Sequence, residues 1–304
     1  MKAIVIHQYG GPEVLKFEDF ADPVVKAGEV LVKSTATSVN PIDKLRRSGV
    51  MKDIFPIHFP GVIGVDIAGV IQKIGPDVKG WSVGDRVFAY ADQAYAELCA
   101  VKASSLAKVP DGMELADAAA LPLILTTGSQ LISEGTGVKA GQTVLVTGAV
   151  GSVGRTAMYS AKLRGAKVIA AVKGNQVSEA AALGADAVVS TEDDDAISRL
   201  PAVDAVADAV GGPTAERFLA KVKSGGVFAT VVSPPRNVKD FPSVKFVFAN
   251  SHPDPNIIVH LANAVRDGKL KIPISRRFPL KDAAAANAAI EAGLSGKVLL
   301  LAQT

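Results

Sequence analysis

Hydrophobic and polar positions follow two different styles along the chain. Up to about residue 125 the apolar runs are short and cut by Gly and Pro, which predicts strands over 3–7, 29–37, 64–74, 86–90 and 94–101. From about 126 to 268, apolar strands over 143–146, 167–172, 187–190, 202–206 and 226–232 alternate with helical segments such as 178–183 and 213–222, each with a glycine stop. Past Leu270 the pattern predicts a strand (272–276), an alanine-rich helix (282–291) and a last strand (297–302). The expected fold class is α/β. A β-rich, barrel-like domain spans 1–125 and is completed by 269–304, and a doubly wound parallel-sheet domain spans 126–268. A chain of 304 residues suffices for two cores, and no internal repeat or low-complexity linker interrupts it.

One junction in this pattern carries chemistry. The strand Val144-Leu145-Val146-Thr147 turns into a helix through Gly148, Ala149, Val150, Gly151, Ser152, Val153 and Gly154. Small residues at 148, 149 and 151 let backbone approach phosphate oxygens, Gly154 lets the helix pack closely on the sheet, and the helix N-terminus favours anions. A dinucleotide diphosphate meets that description; an ordinary tight turn is the plainer alternative. The following strand ends about twenty residues past the turn, where an NAD-selective site places Asp or Glu. Lys173 stands there instead. Its ammonium attracts a 2′-phosphate that a carboxylate would repel, so Lys173-Gly174-Asn175-Gln176 points to NADP, with a solvated loop lysine as the alternative.

Composition narrows the partners. The formal net charge is +3 and no basic run exceeds two residues (Arg46-Arg47, Arg276-Arg277), so electrostatics make no case for nucleic acid or a membrane surface. The longest unbroken apolar run, 118–125, falls well short of the roughly twenty residues that span a bilayer. Cys99 is the only cysteine and reads as a buried structural thiol. With no internal disulfide and a strand-like start at 3–6 in place of an apolar leader, the expected location is the cytoplasm. Asp193-Asp194-Asp195 reads as a helix start or a solvated loop, and Tyr95 as a packed aromatic.

Several further blocks occur in order: Gly10-Gly11-Pro12-Glu13-Val14-Leu15, Ser38-Val39-Asn40-Pro41-Ile42-Asp43, Pro60-Gly61, Gly64-Val65-Asp66-Ile67-Ala68-Gly69-Val70, Val83-Gly84-Asp85-Arg86-Val87, Tyr95-Ala96-Glu97 and Gly296-Lys297-Val298. With the glycine turn, they resemble the zinc-free quinone oxidoreductase and enone reductase branch of the medium-chain dehydrogenase/reductase superfamily. The resemblance covers essentially the whole chain. It implies a GroES-like β-rich barrel catalytic domain and a Rossmann domain in which Ala149, Gly151 and Gly154 form a fingerprint variant with Ala for the first Gly. It further implies that Asn40 and Thr127 lie near the nicotinamide, that Lys173 meets the 2′-phosphate, and that the loop carrying Val232 and Ser233 passes the cofactor. An N-cap or turn role before Pro41 is the alternative for Asn40.

Many relatives use a catalytic zinc, which takes three deprotonatable protein ligands and an open position. Cys99, His7, His58, His252 and His260 lie in unrelated contexts, and Gly64-Val65-Asp66 has no histidine where zinc-binding relatives place one, so no metal is expected. The expected chemistry is direct hydride transfer from NADPH to an electrophilic acceptor, a quinone or an α,β-unsaturated carbonyl (enone or alkenal). Charge developing on an enone oxygen calls for a hydrogen-bond donor, and Asn40 is the candidate. Where quinone oxidoreductases often carry an aromatic residue after the Asn-Pro-Ile-Asp segment, this chain reads Lys44-Leu45-Arg46-Arg47, which weakens a claim for quinones alone. Those cations either meet an anionic substrate group or are solvated. Asn287 replaces a histidine common in relatives and reads as structural. A reductase of conjugated enoyl thioesters and a non-catalytic NADPH-binding structural or regulatory protein are the competing readings. The resemblance also implies a homodimer, for which 244–249 is a candidate edge strand.

Overall fold

The first 123 residues carry strands β1 (Lys2–Ile6), β2 (Lys16–Asp19), β3 (Glu29–Val39), β4 (Gly61–Val62), β5 (Asp66–Ile74), β6 (Arg86–Tyr90), β7 (Leu98–Lys102) and β8 (Leu106–Lys108), with helices α1 (Pro41–Arg47) and α2 (Leu115–Ala118). The structure, a computed structural model, describes residues 1–302. Strand β1 buries four of its five side chains and pairs antiparallel with β2 and β4. The long β3 buries Val30, Val32, Ser34 and Ala36 by simple alternation, then buries every residue from Ala36 to Val39. It pairs antiparallel with β5 and with β7.

Helix α3 (Pro122–Gln130) carries the chain into β9 (Thr143–Thr147), β10 (Lys167–Val172), β11 (Ala187–Ser190), β12 (Val203–Asp208), β13 (Val222–Thr230) and β14 (Lys245–Phe248), which alternate with α4 (Ser152–Leu163), α5 (Val177–Ala182), α6 (Asp194–Arg199) and α7 (Gly212–Leu219). All pairs are parallel and the strand order is β11-β10-β9-β12-β13-β14. That is the doubly wound order of a dinucleotide-binding sheet, with its switch point between β9 and β12. The central strands β9 and β10 are apolar along most of their length because both faces are covered. Ala157, Met158, Ala161 and Ala180 pack on one face against Val144, Val146, Val168 and Ala170, and Ile197, Ala215, Phe218 and Leu219 pack on the other against Leu145, Ile169, Val206 and Phe228.

The remaining elements are α8 (Pro255–Arg266), β15 (Ile274–Pro279), α9 (Ala283–Glu291) and β16 (Lys297–Leu301). Strand β16 pairs antiparallel with the end of β3, Val298 opposite Val39, which closes a sheet of order β15-β16-β3-β5-β6-β8. Two compact units result: Met1–Leu123 with the chain from Pro253 onward, and Ile124–His252.

Three expectations shift. The sequence pattern carries the nucleotide-binding domain to residue 268, whereas α8 clusters with the first unit, packing against β8. The helix expected over 213–222 stops at Leu219, and β13 starts at Val222, before its glycines rather than after them. Gly225 has φ +75° and a Cβ on Gly226 would stand 2.7 Å from the Asp204 carbonyl oxygen, so the glycines make an irregularity inside the strand. Finally, Leu115–Thr136 forms one helical stretch of 22 residues long and apolar enough to span a bilayer by composition, with 72% of its most apolar window buried inside the protein. No unbroken apolar run reveals it because Asp117, Thr126-Thr127, Ser129-Gln130 and Ser133-Glu134 interrupt the stretch.

Candidate active site

The glycine turn is built to leave a helix end open. Gly148 follows β9 with φ +59°, the Gly151 N–H donates to the Gly148 carbonyl at 2.8 Å, and α4 begins at Ser152. A Cβ on Gly154 would sit 2.1 Å from the Gly148 carbonyl oxygen, so only glycine lets the helix lie this close to the turn. The first-turn N–H groups of Ser152, Val153 and Gly154 have no intrahelical acceptor. The cap residue is Gly151, with no side chain to fill them, and the first turn holds no acid. The contrast with α6 and α8 is direct: Asp193 caps the former through the Ala196 N–H at 2.8 Å, and Asp254 caps the latter through Asn256 and Ile257. Arg155 braces the turn, donating from Nε to the Val150 carbonyl at 2.7 Å and pairing with Glu179. A Cβ-sized cradle with an uncapped helix end fits a diphosphate.

Asp208, at the carboxyl end of β12, ties the neighbouring strand ends together. It is fully buried and accepts from Thr147 Oγ1 (2.7 Å), Thr230 Oγ1 (2.7 Å), the Gly211 N–H (3.1 Å) and the Val210 N–H (3.2 Å). The Thr147 hydroxyl in turn accepts from the Ala209 N–H at 3.0 Å. This holds β9, β12 and β13 in register where the Rossmann switch point lies. Val210 reaches over the turn, 2.8 Å from where a Gly148 Cβ would be. Val232 and Ser233 stand beside Gly211, and the Val232 N–H donates to Thr230 Oγ1 at 3.1 Å. The sequence signal for Asp208 is an acid closing the Ala205-Val206-Ala207 run just before Gly211-Gly212.

At the end of β10, Lys173 is exposed and its ammonium takes no ion-pair partner among the described residues. That leaves it available to a phosphate. On α3, Thr127 is 8% exposed and its hydroxyl donates to Ser251 Oγ at 2.9 Å.

In the first unit the structure gives Asn40 a task other than a free donor. It is the N-cap residue of α1, 2% exposed, and its amide is fully committed. Nδ2 donates to Asp66 Oδ2 at 2.8 Å and to the Ser38 carbonyl at 3.2 Å, while Oδ1 accepts from Lys297 Nζ at 2.6 Å. No amide hydrogen remains for a developing enolate. Asn40 thus takes the N-cap position that was the alternative reading for it, within a buried cluster whose partners Asp66 and Lys297 lie far away in sequence. Asp66 accepts from Ser38 Oγ (2.6 Å) and from the Leu123 N–H (2.7 Å), and it lies 3.6 Å from the Lys297 ammonium. Asp43 accepts from the Asn40 N–H (2.8 Å) and the Tyr95 hydroxyl (2.9 Å).

Two carboxyl groups and one ammonium thus lie together away from water, with the ammonium paired to Asp66 and Asp43 held by neutral donors. Burial pushes the Asp43 carboxyl up to about 7 against the pull of its two donors. Burial likewise raises the Tyr95 phenol and lowers the Lys297 ammonium, the latter opposed by Asp66 and Asp43.

Several of the other cations and histidines have partners of their own. Arg47 is buried and pairs with Glu291 at 2.5 Å, so neither reading, substrate contact or solvated charge, describes it; Arg46 pairs with the exposed Asp92 at 2.7 Å, and the exposed Lys44 stands 3.5 Å from Glu291, as surface charges. His7 pairs with Glu18 and His252 with Glu134, both at the surface. Among the described residues no three His, Cys, Asp or Glu side chains group to hold a metal. Asn287 is buried and donates to the Ala283 carbonyl at 2.9 Å.

Residues 26–112 match the family model described as an alcohol dehydrogenase GroES-like domain, and residues 183–300 the one described as zinc-binding dehydrogenase. Over 320 residues the chain is 31% identical to the chloroplastic NADPH-dependent alkenal/one oxidoreductase of Arabidopsis thaliana, covering 99% of this chain and 79% of that protein. It is similar to the solved Escherichia coli quinone oxidoreductase complexed with NADPH, at TM-score 0.87 and 28% identity over 99% of this chain and 100% of that one. The quinone oxidoreductase from Coxiella burnetii superposes at TM-score 0.88 with 28% identity, over 100% of this chain and 99% of that one. With a GroES-like unit, a Rossmann sheet and relatives of these kinds over its whole length, the chain belongs to the medium-chain dehydrogenase/reductase family, in the branch of quinone oxidoreductases and enone reductases.

Proposed function

We propose that the protein is an NADPH-dependent reductase that delivers hydride to quinones or α,β-unsaturated carbonyls without zinc. The observation that carries this reading is the open N-terminus of α4, uncapped and free of acids, behind the close-packed glycine turn at the sheet's switch point. When bound, the dihydronicotinamide supplies the hydride. The N–H groups of Ser152, Val153 and Gly154 hold the diphosphate, and Lys173 attracts the 2′-phosphate. Asp208 fixes the strand ends on which Val210, Val232 and Ser233 flank the turn. The names of the relatives, an NADPH-dependent alkenal/one oxidoreductase and an NADPH-complexed quinone oxidoreductase, support the same cofactor and acceptors.

Zinc independence draws support from the buried cluster. Its Asp66 carboxylate is already paired with the Lys297 ammonium, and of the histidines His7 and His252 pair with Glu18 and Glu134 at the surface while His58 and His260 are exposed. A homodimer formed along β14 is part of the reading. That strand ends the six-stranded sheet, and Phe248 on it is 44% exposed, an apolar edge that pairing with a second copy would cover.

The test is oxidation of NADPH, with NADH alongside, against phenanthrenequinone and methyl vinyl ketone, with products identified. Turnover of either acceptor supports the reading, and a saturated ketone from the enone places the protein with the alkenal reductases. Tight NADPH binding without turnover of any acceptor would instead mark a binding protein.

A further inference from the structure

The charges at the end of β10 do not all favour a phosphate. Next to the free Lys173 ammonium, the Gly174 N–H is taken by Glu192 Oε2 at 2.9 Å. The same oxygen stands 3.0 Å from where a Gly174 Cβ would be, so the carboxylate lies against the backbone there. Glu192 follows β11, whose Ser190 is opposite Val172 of β10, and the Glu192 N–H donates to Ser190 Oγ at 3.1 Å. The acids that follow are turned to other tasks. Asp193 caps α6, and Asp194 pairs with Arg217, which also donates to the Thr191 carbonyl at 2.5 Å. Glu192 is the acid of this run that the structure brings onto the backbone beside Lys173.

We propose that Glu192 is a specificity-determining residue: its carboxylate competes with a 2′-phosphate for the Gly174 N–H and narrows the preference for NADPH over NADH. The inference rests on the dinucleotide reading above. The adenosine ribose of a dinucleotide meets the end of the sheet's second strand, here β10. A 2′-phosphate arriving there gains from Lys173 but must displace a charge-assisted hydrogen bond and face a like charge. A 2′-hydroxyl can instead donate to the same carboxylate. Lys173 and Glu192 therefore act in opposite directions on one choice, and the chain accepts both dinucleotides with a modest preference rather than excluding NADH.

Calorimetric titration of the whole protein with NADPH, NADH and 2′,5′-ADP tests this without turnover. Glu192→Gln keeps an acceptor for the Gly174 N–H and removes the charge. It tightens NADPH and 2′,5′-ADP about tenfold and leaves NADH unchanged or weaker, as expected for removing one like charge at short range. The ratio shrinks at high salt, because the site is exposed. Lys173→Gln moves NADPH the other way by a similar factor, and Asp195→Asn, in the same acidic run, leaves all three ligands as they were. If the wild type binds NADPH and Glu192→Gln leaves its affinity within about twofold, or if Asp195→Asn has an equal effect, the assignment to Glu192 is wrong while the dinucleotide site stands. If neither protein binds NADPH, NADH or 2′,5′-ADP, the dinucleotide reading itself fails and the assignment falls with it.

Discussion

Replacing Lys297 by methionine removes the one cation from the buried cluster of the first unit while keeping most of the side-chain volume. The ammonium is 4% exposed, donates to Asn40 Oδ1 at 2.6 Å and stands 3.6 Å from Asp66 Oδ2. Without it, Asp66 keeps only neutral donors, Ser38, Asn40 and Leu123, and Asn40 Oδ1 loses its partner. Breaking a buried ion pair from one side costs about 3–5 kcal/mol. With a urea slope of about 2–3 kcal/mol/M, the midpoint for this unit drops by roughly 1–2.5 M. The pair variant Lys297→Met with Asp66→Asn removes both charges, and its unfolding free energy recovers relative to Lys297→Met alone, by about 1 kcal/mol or more. The assay is equilibrium urea unfolding of the wild type and the two variants followed by far-UV circular dichroism. A midpoint unmoved by Lys297→Met, or a double variant less stable than the single one, would refute the account of this cluster as a charge-balanced unit.

Further consequences follow from single contacts. Gly154→Ala puts a methyl 2.1 Å from the Gly148 carbonyl, so α4 must shift off the turn, and calorimetry should show NADPH affinity falling by at least about tenfold with the first unit intact. Asp208→Ala strands two threonine hydroxyls and the Gly211 and Val210 N–H groups, which costs at least about 3 kcal/mol by denaturant titration and weakens NADPH. Asp43 releases its proton at about 7 when folded, against 3.8 for a free carboxyl. The folded state therefore binds more protons between those values, and this group's contribution to stability is greatest below pH 3.8 and declines as pH rises to 7. Asp43→Asn should flatten that decline in thermal melts across the interval; an unchanged slope would remove Asp43 as its source.

Local pattern made much of this legible in advance. Strands β6, β10 and β11 lie where alternation or continuous apolar runs put them, and the turn from β9 to α4 follows from its small residues alone. Asp193 as a helix start was equally local. What the sequence hid depends on partners brought together only by folding. Asn40 looks like a free amide until β16 pairs with β3 and carries Lys297 to it, and Arg47 looks like surface charge until α9 delivers Glu291. Glu192 and Gly174 are 18 residues apart and meet because β10 and β11 are parallel neighbours. Counts of charge along the chain carry none of this, since the pairing is set by sheet register.

The most direct test of the reductase reading is hydride transfer itself. NADPH carrying deuterium at the transferable position of its nicotinamide is incubated with the protein and an enone, and the saturated ketone is analysed by mass spectrometry and NMR. The account predicts one deuterium at the β-carbon and a solvent proton at the α-carbon. A ketone product without deuterium, or deuterated NADPH left unconsumed alongside both an enone and a quinone, would contradict it.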